Sequence, residues 1–424
     1  MSTTHQSVRL WHDPVGFQQA TSERYGEPFT LRMHPVGPLV VVSDPESVHR
    51  VLTGEADKFL AGRANGCILP ILDCESLLLL DGEQHRHRRH LLMPSFRSAS
   101  VNRLADTVVD ETERAIQRWP TDKPFSLLPS MRDITLAVIL RAVISIQDPT
   151  SQQELATLVR RMLSPAASAA LWLGRGRRSW WSPASIFEHR RREVHAFVRD
   201  EVARRRDLPP PADPADVLDV LIAGTAVDGT PLDDRSICDE VVTLLLAGHE
   251  TTSTALAWAF ERTLRHPQVL DRARLAVAEG DGVYLNALIM ESLRSRPPLV
   301  DAVRMTTEPM TIGGRNIPVD TIIMASVPLV HHRDDVYPQP EAFRPERFLE
   351  HRPGPSQWVP FGGGSRRCLG AELALMEMTK VIATVLARAD LEPDRPQPEH
   401  PRLYGTAMLP SRRASVVMRA RADS

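Results

Sequence analysis

Lysine, cysteine and long apolar runs are scarce in this chain of 424 residues, and each scarcity argues against a class of protein. Lysine occurs only three times and the net charge is −2, so the chain is not expected to be a general nucleic-acid binder. Apolar runs such as Leu77–Leu80 are far too short to cross a bilayer. Because Met1–His5 also shows no signal pattern, we expect a cytoplasmic protein without stable membrane insertion.

The four cysteines are widely separated and form no C-x-x-C pair. This spacing argues against a zinc knuckle or a disulfide framework. In a reducing compartment, a cysteine in an unusual setting is instead expected to be a metal ligand or a nucleophile. The length suits two or three average domains or one large domain, and the proline run Pro209–Pro211 is interpreted as a loop between helices.

Hydrophobic periodicity predicts a mainly α-helical chain with a smaller β region. Alternating residues predict strands at Phe29–Met33 and Leu39–Ser43, within a β-rich region of about 28–45. A second β-rich region is predicted at about 310–326. The segment Pro165–Phe187, which contains three tryptophans, is predicted to be a mobile lid, a membrane-grazing patch or ordinary packing.

The clearest helix is predicted over about Asp239–His266, with Ser236 and Asp239 as a capping box and Pro267 as its end. Its middle, Val241–Gly248, is almost wholly apolar and must be buried. A carboxylate or a hydroxyl inside such a helix costs free energy unless it has a partner or a task. Any polar interruption of this helix is therefore a candidate functional site.

The most informative segment is the loop Pro360–Gly370, PFGGGSRRCLG, before a helix predicted from Ala371 to about Ala387. Its three successive glycines allow a tight turn and the close approach of a flat ligand. Cys368 then lies at a helix N-terminus, where backbone N–H groups and the helix dipole favour a thiolate over a thiol. Such a thiolate is suited to binding iron, and Arg366 can pair with a carboxylate of the same cofactor.

This loop resembles the cysteine loop of the cytochrome P450 family, F-x-x-G-x-R-x-C-x-G. The chain fills every fixed position, with Phe361, Gly364, Arg366, Cys368 and Gly370. The resemblance implies that Cys368 binds the iron of haem b. It also implies that Arg366 and three further residues of the loop contact the cofactor, namely Phe361, Gly362 and Gly370. The alternative is a glycine-rich loop with an inert buried cysteine; a phosphate-binding loop is excluded because no G-K-S/T follows the glycines.

The predicted long helix carries a polar interruption at Ala247–Thr252, AGHETT. Gly248 lacks a side chain, which leaves room for a flat ring or a diatomic ligand, and Thr251 can bond a carbonyl one turn back and open a local bulge. A zinc-protease H-E-x-x-H motif is excluded because Ser253 replaces its second histidine. A purely structural threonine pair remains the alternative.

The same segment fills the family pattern A/G-G-x-D/E-T-T/S. This resemblance implies that Ala247 and Gly248 lie against the haem. It further implies that Glu250 and Thr251 are catalytic and deliver protons during the activation of dioxygen.

His85 and Arg89 lie four residues apart in the basic segment Asp81–His90, so a helix places both on one face. Taken alone, a solvated basic face is the better interpretation. Cytochromes P450 carry a similar D-G-x-x-H-x-x-x-R segment, which implies that His85 and Arg89 bind the haem propionates, and Arg304 is similar to a family position with that role. The remaining arginines would then form, with Arg367, a positive surface for an acidic electron donor.

Glu291 and Arg294 are three residues apart, a spacing that also recurs by chance in this arginine-rich chain. The pair precedes the second β region, which is followed by the segment Phe343–Phe348. This order of segments resembles the order in the family. The resemblance implies that Glu291, Arg294 and Arg347 form a buried structural network that braces the cysteine loop.

The resemblance covers nearly the whole chain and implies the mainly helical triangular-prism fold of the cytochromes P450 as a single domain. The implied reaction inserts one oxygen atom of O2 into a lipophilic small molecule by hydroxylation or epoxidation. Electrons from NAD(P)H would arrive through a ferredoxin or flavodoxin and its reductase, and we expect a monomer. The predicted substrate pocket comprises Ile68, Leu69, Leu72, Ala247, Leu299, Val300 and Met408.

Two other classes of protein stay open. The same haem-thiolate site could use peroxide or rearrange a substrate, as a peroxygenase or an isomerase. The chain could also be a non-catalytic haem sensor. Glu250 and Thr251 argue against the first class, because peroxide-using and rearranging enzymes have less need of a proton relay. They argue against a sensor because the pair, like the basic surface, would then have no purpose.

Overall fold

The computed structural model describes residues 2–34, 36–68, 75–164 and 182–420. Most of the predicted lid, Pro165–Phe187, lies outside these residues, as do Leu69 and Leu72 of the predicted substrate pocket. The last residues of the predicted lid begin a helix, Pro183–Arg206. Across the described residues, we find no helix that combines the length and the apolar character needed to cross a membrane.

Helices form most of the described chain and confirm the mainly α prediction. In chain order they are α1 Thr3–His12, α2 Pro14–Tyr25, α3 Pro45–Thr53, α4 Ala61–Ile68, α5 Gly82–Leu92, α6 Ser98–Asn102, α7 Ala105–Ile116, α8 Leu127–Val143, α9 Pro149–Met162, α10 Pro183–Arg206, α11 Val217–Ala223, α12 Asp234–Leu264, α13 Pro267–Glu279, α14 Gly282–Ser295, α15 Val327–His331, α16 Arg347–Glu350 and α17 Ala371–Arg388. Short 3-10 turns cover Met93–Phe96 and Gly364–Arg366.

The strands are short and form four small sheets in the described chain. They are β1 Phe29–Met33, β2 Gly37–Val42, β3 Phe59–Leu60, β4 Pro124–Ser126, β5 Asp301–Thr306, β6 Met310–Ile312, β7 Arg315–Ile317, β8 Ile322–Ser326, β9 Asp390–Pro393, β10 Pro401–Tyr404, β11 Ala407–Pro410 and β12 Ser415–Arg419. The largest sheet has the order β1-β2-β8-β5-β3, a second has the order β4-β12-β9, and two hairpins pair β6 with β7 and β10 with β11.

The largest sheet joins the two β regions that the sequence predicts separately. Strand β2 runs parallel to β8, with Val41 opposite Met324, and β5 lies antiparallel on the other side of β8. The sequence does not predict β5, whose central residues are buried on both faces and therefore do not alternate in polarity. This strand matters for the site because it carries Arg304.

The long helix α12 contains 31 residues, which corresponds to about 46 Å. It begins at Asp234, five residues before the predicted start, and ends at Leu264, two residues before the predicted end. The predicted capping box is wrong: Asp233 is the N-cap, and its carboxylate accepts a hydrogen bond from the Ser236 N–H at 2.8 Å. Most residues of α12 are buried, and the prediction of a buried middle is correct for Val241–Leu245 but not for Leu246, Ala247 and Gly248, which remain accessible.

Candidate active site

The cysteine loop turns through two glycines with left-handed backbone, Gly362 with φ +64° and Gly364 with φ +62°. A Cβ atom added to Gly364 would collide with the carbonyl oxygen of Leu52 at the end of α3. Gly364 therefore lets the loop approach the backbone of α3, a role that the sequence does not predict. The Cys368 N–H donates to the Phe361 carbonyl at 2.8 Å and closes the loop.

Cys368 lies two residues before Gly370, the N-cap of α17, and its side chain remains accessible although protein surrounds it. Burial raises the pKa of its thiol, while the Gly370 N–H and the charges of Arg367 and Arg89 act in the opposite direction. The helix N-terminus is therefore not sufficient to make the thiolate the favoured form, contrary to the expectation from sequence. The iron of a bound haem would supply the missing positive charge at the sulfur.

Four basic side chains from three segments converge beside Cys368: His85 and Arg89 of α5, Arg304 of β5 and Arg366 of the cysteine loop. His85 is 3% exposed, and burial together with the charges of Arg366, Arg89 and Arg304 lowers its pKa to about 3. Burial, reinforced by Arg366, lowers the pKa of Arg304 to about 10. His85 is thus neutral at pH 7, and three guanidinium groups share a small, partly dehydrated volume.

These three guanidinium groups have few acceptors in the protein. Arg366 bonds the Leu80 carbonyl and the carboxylate of Asp81, each at 2.5 Å. The guanidinium of Arg304 donates only to the carbonyl of its neighbour Val303, at 2.8 Å, and the guanidinium of Arg89 has no hydrogen bond within the described residues. Positive charge is therefore in excess, and a ligand with two carboxylates, such as haem, fits the cluster.

Asp81 is the partner of Arg366 that the sequence does not predict. It also accepts hydrogen bonds from the Gly62 and Arg63 N–H groups at 2.8 Å, which ties the start of α4 to the cysteine loop. The D-G-x-x-H pattern contains this aspartate, so the signal was present in the sequence, but nothing in the pattern shows which arginine it pairs with.

The middle of α12 carries an accessible patch in an otherwise buried helix. Residues 246–251 include exposed Ala247 and partly exposed Thr251. Thr251 Oγ1 donates to the Ala247 carbonyl at 2.8 Å, one turn back, as the sequence predicts. The predicted bulge is absent, since α12 remains α-helical through this segment.

Glu250 points to a partner on another helix. Its carboxylate forms an ion pair with Arg132 of α8, and both side chains remain partly exposed. The sequence does not predict this pair, because it joins residues 118 positions apart. Glu250 is therefore paired with Arg132 and remains within reach of solvent.

Gly248 faces α8. A Cβ atom at this position would lie 2.6 Å from Cδ1 of Ile139, so glycine permits the close contact between α12 and α8. The structure thus gives a different reason for this glycine from the predicted space for a ring or diatomic ligand. The next residue, His249, is buried and contacts Thr135 Oγ1 through Nδ1 at 3.0 Å.

Glu291, Arg294 and Arg347 form a buried network. Arg294 donates twice to the Glu291 carboxylate, at 2.7 and 2.9 Å, and Arg347 Nε donates to it at 3.2 Å. The backbone N–H of Arg344 adds a bond of 2.8 Å to the same carboxylate. The three side chains that the sequence expects to meet are therefore in contact. All three are buried, where an unpaired charge is costly.

His331 connects this network to the cysteine loop and is not predicted by the sequence. Its Nε2 accepts from the Val359 N–H at 3.0 Å, so Nδ1 carries the proton and donates to the Arg294 carbonyl at 3.1 Å. Burial lowers the pKa of His331 well below its usual value, which keeps the ring neutral. Nearby, Trp358 Nε1 donates to the Met290 carbonyl at 3.1 Å.

A family model for cytochrome P450 matches residues 3–418 of this chain. The chain belongs to the cytochrome P450 family. It is 37% identical over its full length to cytochrome P450 135B1 of Mycobacterium tuberculosis and covers 91% of that protein. It is 36% identical over 94% of its length to cytochrome P450 138 of Mycobacterium bovis and covers 90% of that protein.

The fold agrees with this assignment. The structure of a retinoic-acid-bound cyanobacterial CYP120A1 superimposes with a TM-score of 0.85 over 97% of this chain and 96% of that chain, at 22% sequence identity. The predicted fold class is thereby confirmed. As a cytochrome P450, the protein is a monooxygenase oxidoreductase that uses haem, O2 and electron donors.

Two predicted substrate-pocket residues of this cytochrome P450 do not line an accessible space. Val300 is 6% exposed and Met408 is fully buried, and both pack in a small cluster with Val15 and Leu403. Ala247 is exposed and Leu299 is partly exposed, which suits both to a pocket wall. Ile68 ends α4, and its side chain lies outside the described structure.

The predicted positive surface needs one correction. Arg88 is 7% exposed and pairs with the buried Glu240 of α12 at 2.9 Å, so it is not available to an external partner. Arg86 and Arg367 are exposed. The surface on the cysteine side of the P450 is therefore smaller than the sequence suggests.

Proposed function

We propose that this cytochrome P450 inserts one oxygen atom of O2 into a lipophilic small molecule, by hydroxylation or epoxidation. The observation that carries this proposal is the accessible Cys368 beside the cluster of His85, Arg89, Arg304 and Arg366. In this proposal, residues 1–424 act as one haem-thiolate domain in a monomeric cytoplasmic protein. NAD(P)H supplies electrons through a ferredoxin or flavodoxin and its reductase.

The residues of the cluster hold the cofactor, which we propose is haem b. Cys368 binds the iron through its sulfur, and Arg89, Arg304 and neutral His85 donate hydrogen bonds to the propionates. Arg366 remains paired with Asp81 and adds positive charge beside them. Phe361, Gly362, Gly370, Ala247 and Gly248 belong to the segments that contact the ring. When bound, the haem supplies the capacity to activate O2 with two electrons.

Glu250 and Thr251 hold and move protons. The ion pair with Arg132 keeps Glu250 at the solvent-facing edge of α12, where it exchanges protons with water. The Thr251 hydroxyl donates to the Ala247 carbonyl and keeps its lone pairs free to accept a hydrogen bond from water at the accessible patch. The two adjacent residues can thus pass a proton from solvent to the pocket.

Exposed Arg86 and Arg367 form part of the surface that would meet an acidic electron donor. This arrangement favours electron transfer from a partner over use of peroxide. The Glu291–Arg294–Arg347 network and His331 act as support for the cysteine loop and take no part in the chemistry.

Turnover of a screened lipophilic substrate tests the proposal. We expect product with a surrogate ferredoxin, its reductase and NADPH, and much less product with peroxide alone. Thr251→Val should lower the product formed per NADPH by about tenfold or more, because it removes the hydroxyl at constant shape. Thr254→Val is the matched control, since its buried hydroxyl has no partner in the described structure. Product with peroxide alone at the full rate would contradict the proposal.

A further inference from the structure

Asp301 is the first residue of β5, opposite Ser326 of β8. Within the described residues its carboxylate has neither a hydrogen bond nor an ion pair. Burial alone raises its pKa to about 6, and no neighbouring charge contributes. A carboxylate that is mostly surrounded by protein and has no donor is unfavourable, so its presence requires a structural or a functional reason.

The side chain of Asp301 lies on the accessible face of its segment, together with that of Leu299. Leu299 and Asp301 are partly exposed, whereas Val300 between them packs into the cluster with Val15 and Leu403. Side chains in an extended segment alternate between two faces, so Leu299 and Asp301 project to the same side. The sequence predicts an apolar pocket wall here, and the carboxylate of Asp301 corrects that prediction.

Asp301 is separate from the cluster that would bind the propionates. Arg304 is three residues further along β5 and therefore projects to the opposite face, about 10 Å away along the strand. The charges that affect Arg304 are those of Arg366 and Asp81. Asp301 thus neither neutralises the arginine cluster nor competes for its ligand.

Helix α4 packs against β5, the strand that begins at Asp301. Strand β3 pairs antiparallel with β5, with Leu60 opposite Met305, so α4 runs back along β5. The eight residues of α4 span about 12 Å, which is close to the four strand steps from Met305 to Asp301. The end of α4 at Cys67 is exposed.

The residues just before Asp301 contact a hairpin that packs on α12. Leu299 forms a β-bridge with Ala407 of β11, and the neighbouring Met408 carbonyl accepts a hydrogen bond from Trp258 of α12 at 2.6 Å. Trp258 lies two turns beyond Thr251 on α12. The segment that carries Asp301 therefore contacts both α4 and the hairpin that packs on α12.

We propose that Asp301 binds the protonated amine of a lipophilic substrate and selects amphipathic amines for this enzyme. The inference rests on the proposed function, because it assigns a substrate class to the same pocket. Leu299 and Ala247 contact the apolar part of the molecule. The ammonium group supplies the positive charge that the protein does not give this carboxylate.

Calorimetric titration of the haem-loaded protein tests the inference with two probes of equal chain length, dodecyltrimethylammonium and dodecanol. The quaternary ammonium keeps its charge at every pH and has no lone pair to bind iron. We expect it to bind at least about tenfold more tightly than the alcohol. Asp301→Asn should remove this preference, with the alcohol affinity unchanged to within about twofold.

Asp271→Asn, at an exposed position of α13, is the matched control and should keep the wild-type preference. Equal binding of the two probes by the wild type, or a preference that survives in Asp301→Asn, would overturn the inference. The reduced carbon monoxide spectrum of Asp301→Asn reports an intact site independently. A normal spectrum without cation preference defeats only this inference, whereas cation preference without a thiolate spectrum defeats only the proposed function.

Discussion

The N–H of Val359 donates a hydrogen bond to Nε2 of His331 at 3.0 Å, two residues before the cysteine loop reaches Phe361. The same histidine donates through Nδ1 to the Arg294 carbonyl. One neutral ring therefore connects the Glu291 network to the segment that carries Cys368. The position of the sulfur depends on buried groups far from it in sequence.

His331→Leu should lower the free energy of unfolding by about 2–4 kcal/mol, because it leaves the buried Val359 N–H and Arg294 carbonyl without partners. Urea unfolding followed by tryptophan fluorescence measures the change. His351→Leu, at an exposed site, is the control and should stay within about 0.5 kcal/mol of the wild type. Equal effects of the two substitutions would show that His331 does not support the loop.

Glu291→Gln should destabilise the protein by about 3–5 kcal/mol, because Arg294 and Arg347 would remain buried with their charges uncompensated. Glu188→Gln offers the comparison, since Glu188 pairs with Arg191 at the same spacing but has a side chain 42% exposed. Its cost should stay below about 1 kcal/mol. Denaturant midpoints of the two variants give the contrast, and similar shifts would contradict the role of the buried network.

Gly248→Ala should cost about 1–3 kcal/mol, because its Cβ would meet the side chain of Ile139. In an Ile139→Ala background the same substitution should cost much less, which a double-mutant cycle measures. Gly66→Ala in α4 is the control: a Cβ there meets nothing within 4 Å, so alanine should be neutral or stabilising. Additive effects of Gly248→Ala and Ile139→Ala would argue against this contact.

Asp301→Asn should stabilise the protein in a pH-dependent way. The pKa of Asp301 in the folded protein, about 6, is higher than the usual value of 3.8. The wild type therefore loses stability as the pH rises from 3.8 to about 6, and this loss remains complete at higher pH. The variant should gain about 1–2 kcal/mol at pH 8, after allowance for partial exposure, and less at pH 5. Unfolding curves at the two pH values measure the gain, and a less stable variant at pH 8 would refute this account of the carboxylate.

The sequence predicts those parts of the site whose residues are close together in the chain. The loop around Cys368, the segment Ala247–Thr252 and the i, i+4 pair His85 and Arg89 each depend on local spacing. The partners Asp81, Arg132 and His331 are not predictable in this way, because their contacts join residues as far as 285 positions apart. Common residue types at such separations leave no pattern in a single sequence.

The predicted pocket shows a second limit of local reasoning. Val300 and Met408 are apolar and adjacent to accessible residues, yet they are buried. Which face of an extended segment is open depends on what packs on it, here Val15 and Leu403. An apolar residue in the right segment has an even chance of facing either side, whereas Asp301 is recognised as unusual only once its surroundings are known.

The most direct test of the central claim is the absorption spectrum of the dithionite-reduced protein with carbon monoxide. Thiolate ligation by Cys368 predicts a strongly red-shifted Soret band, which Cys368→Ala should abolish. Cys67→Ala, which removes an exposed cysteine of α4, should leave the band unchanged. A histidine-type spectrum, or a red-shifted band that persists in Cys368→Ala, would contradict the account.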